Sequence, residues 1–197
     1  MELLLRQTTL KVLQWNCRAL NSNKVELLDY AHQNQPDIIA LQDANFPKKG
    51  PVQLVGYQFP PMHQNKGKVA TYIKQGLTAT EYQTTNTDLI DSIGTQITLG
   101  NNRKIRITNI YVNNHANYSH IHQTDLDNLY ASGDLIVGNL NARNPLWDES
   151  ADFPNKGGRM VEDAVDHARK VVINNGEATH FHCRGRTDIT NALDVTA

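Results

Sequence analysis

The segment Pro36-Asp37-Ile38-Ile39-Ala40-Leu41 constrains this chain more than any other. Its last four residues offer no polar side to water, so it reads as a strand buried on both faces. Residues 11–17, ahead of it, read as a strand in which Val12 and Trp15 alternate before Asn16 breaks the pattern. Between the two, Asn23 stands three residues before Glu26, a spacing that caps a helix. That helix should run to about residue 33 and bury Val25, Leu27 and Leu28. Strand, helix, strand implies parallel pairing through a right-handed crossover.

The middle of the chain changes character. Residues 52–59, 68–74, 93–99 and 104–111 read as short strands parted by turn-rich pieces, Gln64-Asn65-Lys66-Gly67 and Gly100-Asn101-Asn102. The second piece signals a hairpin. A helix is predicted over 118–130 with Ile121, Leu126 and Leu129 buried, followed by a strand over 134–140. The clearest helical stripe is Val161, Val165, Ala168 and Val172, predicting a helix over 160–174 that ends at Asn174-Asn175-Gly176. Two or three short strands close the chain. Parallel units first and antiparallel strands later fit an α/β fold, a four-layer α/β/β/α sandwich of two packed mixed sheets with outer helices.

With 197 residues the expectation is a single domain, 1–197. Lys+Arg is 19 against Asp+Glu 20, so no global field draws polyanions and any nucleic-acid contact must be local. Cys17 and Cys183 fit no zinc spacing and read as reduced thiols of an intracellular protein. The leucines of the first five residues are too few for a signal peptide, and no stretch approaches a membrane span.

In layered α/β domains the ligand crevice lies at the carboxyl ends of the strands. Those ends carry Asn16, Gln42-Asp43, Tyr111, Asn139-Leu140-Asn141 and Asp194. Each alone is unremarkable, since Asn and Asp commonly end strands. Together they form a chemical set. A carboxylate with amides suits a hard cation such as Mg²⁺, with Mn²⁺ as a substitute, and Tyr111 and Asn141 can donate to a phosphate.

Five segments then occur in a telling order: Gln14-Trp15-Asn16-Cys17-Arg18, Pro36 to Asp43, Gly67-Lys68-Val69-Ala70-Thr71-Tyr72, Asn109-Ile110-Tyr111, and Gly138 to Trp147. The chain resembles the endonuclease/exonuclease/phosphatase superfamily. Its Asn141-Ala142, Pro145-Leu146-Trp147 and Leu193-Asp194-Val195-Thr196 look most like the endonuclease domain of non-LTR (LINE-type) retrotransposons. The resemblance implies that Asn16 and Asp43 hold the metal and that Tyr111 and Asn141 contact the scissile phosphate. Position 139 would orient or deprotonate the attacking water, and Asp194 would sit beside metal and phosphate. Thr179 would face the substrate, and Arg184 and Arg186 would lie on a loop turned to DNA. It also implies a downstream reverse transcriptase in a longer product and work in the nucleus.

Three departures weaken the implied activity. Position 139 is Asn where the family has Asp, and an amide takes no proton at neutral pH. Position 43 is Asp where Glu is usual, one methylene shorter. The family's final Ser-Asp-His segment does not occur before Ala197. That last departure predicts a missing strand and an uncovered sheet edge open to self-association. His180/His182 and His120/His122 have strand spacing but lack a third metal ligand, and His115 is only near Tyr111 in sequence.

The expectation is a metal-dependent, DNA-nicking domain that cleaves weakly or not at all. The alternative is a catalytically dead derivative that binds nucleic acid or protein through the same groove. Arg143, Lys156, Arg159, Arg184 and Arg186 are the candidate phosphate contacts, against their ordinary role as solvated surface. A small-phosphate-ester enzyme is disfavoured by the Pro145-Leu146-Trp147 segment.

Overall fold

The computed structural model describes residues 10–46, 52–58, 68–100, 102–113 and 118–174, together with the backbone of three later strands. The chain runs β1 (Val12–Asn16), α1 (Leu20–Asn34), β2 (Ile38–Gln42), β3 (Tyr57–Gln58), β4 (Val69–Lys74), β5 (Thr78–Tyr82), β6 (Ile90–Thr98) and β7 (Lys104–Val112). It continues through α2 (Gln123–Ser132), β8 (Leu135–Asn139), α3 (Lys156–His167), β9 (His180–Arg184), β10 (Thr187–Asn191) and β11 (Asp194–Thr196). One sheet has the order β1-β2-β4-β3, another β11-β8-β7-β6-β5, and β9 and β10 form a separate hairpin. Both larger sheets are mixed: β1 runs parallel to β2 and β7 parallel to β8, while the other pairs are antiparallel. The expected four-layer architecture is present.

Three apolar clusters make the layers. Leu20, Leu27 and Ala31 of α1 pack on Ile39, Leu41, Ala70 and Tyr72, the outer face of the first sheet. Leu126, Leu129, Val161 and Val165 cover Ile110, Ile136 and Leu140 on the outer face of the second. Between the sheets lie Ile38, Ile73, Ile97, Ile107 and Val137. A fully buried Leu or Ile side chain contributes roughly 1.5–3 kcal/mol, so these clusters dominate stability.

The space between the sheets is graded. Strand alternation puts Val12, Gln14 and Asn16 on one face, with Ile38, Ala40 and Gln42 beside them in register. The apolar end therefore gives way to Gln14, Thr71 and Asn109 midway, and to Asn16, Gln42, Tyr111 and Asn139 at the carboxyl end. The midway amides join the sheets. Gln14 Nε2 donates to Gln42 Oε1 at 2.7 Å, and Gln42 Nε2 donates to Asn109 Oδ1 at 2.6 Å. Asn109 Nδ2 donates to the Ala70 carbonyl at 2.9 Å. Gln14, Gln42 and Asn109 thus all have partners, as burial demands.

Several elements depart from the sequence reading. The first helix begins at Leu20 rather than Asn23, whose side chain instead donates to the Cys17 carbonyl. Val25 is 71% exposed, because the buried stripe is Leu20, Leu27 and Ala31. The third helix spans Lys156–His167 instead of 160–174. Asn155 starts it by accepting the Gly158 amide at 2.7 Å, and Val172 packs on the core from beyond its end. Gly157 and Gly158 hid that start, since glycine argues against a helix. Gly158 is there for space: a Cβ would fall 1.9 Å from the Arg143 carbonyl oxygen. Strand β5 went unread because its Thr-Ala-Thr-Glu-Tyr sequence lies half exposed at a sheet edge. The segment expected as a strand over 52–59 keeps only Tyr57–Gln58 within the described residues.

Candidate functional site

The carboxyl ends of β1, β2, β7 and β8 meet at one rim of the sandwich. Asn16 lies in register with Gln42, and Gln42 with Val69. On the second sheet Asp91, Tyr111, Asn139 and Asp194 occupy one backbone row across four strands. The two rows face each other across the mouth, where Tyr111 packs with Val69 and Ile93. The loops behind the first row are knitted by backbone bonds: Cys17 to Gln42, Ala19 to Asp43, Leu20 to Ala44, and Ala44 to Lys68 at 3.0 Å. Arg18, Ala19, Asp43, Asn45 and Asn141 all hold positive φ here, between 43° and 72°. Such backbone is disfavoured without glycine and clusters where geometry serves a site.

Asn16 carries the most informative atom. Its Oδ1 is buried and accepts no hydrogen bond from any described residue. An orphaned amide oxygen beside an acid is a donor suited to a hard cation, and Mg²⁺ is commonly held by one or two carboxylates plus waters and substrate oxygens. Asp43, next after Gln42 in the row of Asn16, is a carboxylate that could join it, and Asn45 Nδ2 donates to its Oδ1 at 2.8 Å. Among the described residues no three His, Cys, Asp or Glu side chains cluster, so a cation here would keep most of its water.

Asn139 is buried, and its Oδ1 accepts the Asn141 backbone amide at 2.9 Å. The bond fixes the amide's orientation, because only the oxygen can accept. Asn141 Nδ2 donates to the Val112 carbonyl at 2.7 Å, so one of its two protons holds the strand end. Gly138 permits this row: a Cβ would meet the Ile110 carbonyl oxygen at 2.0 Å. Cys17, below Asn16, donates from Sγ to the Gln42 carbonyl at 3.4 Å. Burial, helped by the charge of Asp43, pushes its thiol up to about 12.

The basic candidates divide. Arg143 Nε pairs with the buried Asp148 at 3.0 Å, and its Nη2 donates to Ser150, so it braces its own loop. The same loop is held by Trp147 Nε1 on the Ala142 carbonyl and Asn144 Nδ2 on Glu162. The Asn-Pro-Leu-Trp stretch thus builds the strand exit. Lys156 and Arg159 are exposed at the start of α3. Thr179, Arg186 and His115 lie outside the described residues, as does the Gln64–Gly67 turn. Arg184 closes β9, and Asp194 lies backbone-to-backbone with Asn139.

Sequence reasoning missed two residues at this rim. Asp91 shares the row of Tyr111, with no motif to announce it. Lys68, immediately before β4, has its Nζ 5.3 Å from the centre of the Tyr111 ring. A cation over an aromatic face contributes about 0.5–1 kcal/mol at an exposed site. It lies in the Gly67-Lys68-Val69-Ala70-Thr71-Tyr72 segment quoted for the family resemblance, which attached no role to it.

A two-sheet α/β/β/α domain with amides, an acid and a tyrosine at one mouth defines a class of ligand-binding architecture at strand ends. The chain belongs to the endonuclease/exonuclease/phosphatase family, whose model matches residues 13–148. That span includes Asn16, Asp43, Tyr111, Asn139 and Asn141. Over 178 residues the chain is 21% identical to a probable RNA-directed DNA polymerase from transposon BS of Drosophila melanogaster. The match covers 87% of this chain but 19% of that protein. The fold is shared with the endonuclease domain of TRAS1, a telomere-specific non-LTR retrotransposon (TM-score 0.74, 18% identity, 95% of this chain and 84% of that one). It is shared also with an AP endonuclease from Archaeoglobus fulgidus (TM-score 0.67, 16% identity, 95% and 86%). A 3′-5′ exonuclease from Neisseria meningitidis is similar as well (TM-score 0.67, 17% identity, 94% and 85%).

Proposed function

We propose that this chain is a divalent-cation-assisted phosphodiester hydrolase domain of retrotransposon origin that acts on DNA, with its hydrolysis held low by Asn139. The observation that carries the reading is the orphaned Asn16 Oδ1 beside Asp43, facing the Tyr111–Asn139 row. Asn16 and Asp43 would hold Mg²⁺ or Mn²⁺. The cation would offset charge on the phosphate when bound. Tyr111 and the second Asn141 proton point to phosphate recognition, and Asp194 joins the row from β11. Arg184 and Arg186, with Thr179, are proposed on the DNA side. A reverse transcriptase in the same longer product and a nuclear place of work go with this origin.

Asn139 limits the chemistry. In-line attack needs a base for the water, and base catalysis contributes about 10²–10⁴-fold. The Asn139 oxygen accepts the Asn141 backbone amide, and an amide oxygen is too weak a base to take the proton of water. An Asp of the same shape would keep that bond and free one oxygen for the proton.

Supercoiled-plasmid nicking with Mg²⁺ or Mn²⁺ tests this. The chain as it stands should nick weakly or not at all, and Asn139→Asp should gain about 10²–10⁴-fold, abolished by chelator. No gain from Asn139→Asp would remove the hydrolase reading. The second reading, a binding module without cleavage, is favoured by the same committed Asn139 amide. It requires salt-sensitive DNA affinity in chelator.

A further inference from the structure

We propose that Lys68 is a phosphate-binding residue of this site, placing a fixed positive charge where a phosphodiester would lie. The inference rests on the phosphodiester reading and adds to it a residue that no motif assigns. Three observations carry it. The Lys68 carbonyl accepts the Ala44 amide at 3.0 Å, which ties the residue to the loop just after Asp43. Its Nζ stands 5.3 Å from the Tyr111 ring centre, so the side chain reaches from the first sheet to the row on the second. Among the described residues no carboxylate lies within ion-pair distance of it, whereas Lys74, Arg106 and Arg143 each have one.

The mouth holds amides, a phenol and the acids Asp43 and Asp91, and Lys68 brings to it an ammonium with three donors and no acceptor, the donor type that phosphate oxygens take. The aromatic ring steadies the cation without neutralising it. On a chain with net charge −1, such a local charge is the form that polyanion attraction must take. Tied by its carbonyl to Ala44 and reaching Tyr111 with its ammonium, Lys68 anchors a phosphate even when no divalent cation is bound.

The test is the affinity of the whole chain for a labelled short DNA duplex, read by anisotropy in chelator across a salt series. Wild type, Lys68→Met and Lys68→Arg are compared. Alongside, inorganic phosphate is titrated into wild type while NMR follows the Lys68 side-chain signals, which the Tyr111 ring displaces. Lys68→Met should weaken duplex binding about threefold to tenfold and reduce the salt slope by about one, with Lys68→Arg near wild type. Phosphate should move the Lys68 signals. Duplex binding unchanged by Lys68→Met, with Lys68 signals unmoved, overturns this inference and leaves the DNA reading standing. Signals that move with phosphate while no duplex binds uphold Lys68 and sink the DNA reading. If neither ligand binds, both fall. The phosphate titration needs no variant, so a misfolded Lys68→Met leaves the proposal open to refutation.

Discussion

At the scale of single residues, what matters at this rim is which atoms are already committed. Asn139 Oδ1 and one Asn141 proton hold the backbone, while Asn16 Oδ1 is left without a donor among the described residues. Cys17 shows the same logic in a titrating group. Its ordinary value is 9.0 and burial raises it to about 12. The folded state therefore keeps the proton longer than the unfolded chain. The associated stability is fully present below 9 and is lost as pH rises toward 12. We expect Cys17, isolated by Cys183→Ser, to resist alkylation at pH 8.5 until denaturant is added. Alkylation at the rate of a free thiol in native protein would show that the site lies open. The places of Asn16, Tyr111 and Asn139 were legible from strand ends, whereas those of Asp91 and Lys68 were not. The commitments of rim atoms were not legible, because hydrogen-bond partners such as Val112 for Asn141 lie 29 residues away.

At the scale of elements, the helices show how far periodicity reaches. It found α1 but chose Val25, which faces water, over Leu20 and Ala31, which face the sheet. A stripe of apolar residues does not say where the sheet sits. We expect Val25→Lys to change stability by less than about 0.5 kcal/mol and Leu27→Ala to lower it by about 2–5 kcal/mol, measured by denaturant midpoints. Equal effects would mean that the buried stripe is wrongly assigned. For α3, glycines at the first turn concealed a start that Asn155 caps. Removing that cap with Asn155→Ala should cost about 1 kcal/mol. The variant also tests the strand exit, because Asn155 Oδ1 accepts the Arg143 amide as well. A thermal melt unchanged from wild type would refute both roles.

At the scale of the whole molecule, the sandwich is apolar at one end and polar at the other, and Gln14, Gln42 and Asn109 form the join. This chain of amides spaces the two sheets directly beneath the proposed phosphate site. Asn109→Ala would leave one Gln42 Nε2 proton without its Asn109 acceptor in a dry interior, at about 1–3 kcal/mol. Loss of less than 1 kcal/mol in chemical denaturation would mean water reaches that layer. The amino-acid order by itself determined the layered α/β class, the doubly buried β2, the antiparallel pairing of β6 with β7 and the family. Periodicity and turn chemistry are local, and the motifs sit at the strand ends they mark. Only the tertiary structure decided that Tyr111, Asn139 and Asp194 share a row, that Arg143 braces its own loop, and that Lys68 reaches Tyr111. Those facts depend on register and on sheet facing sheet, which join residues far apart in the chain and leave no local trace.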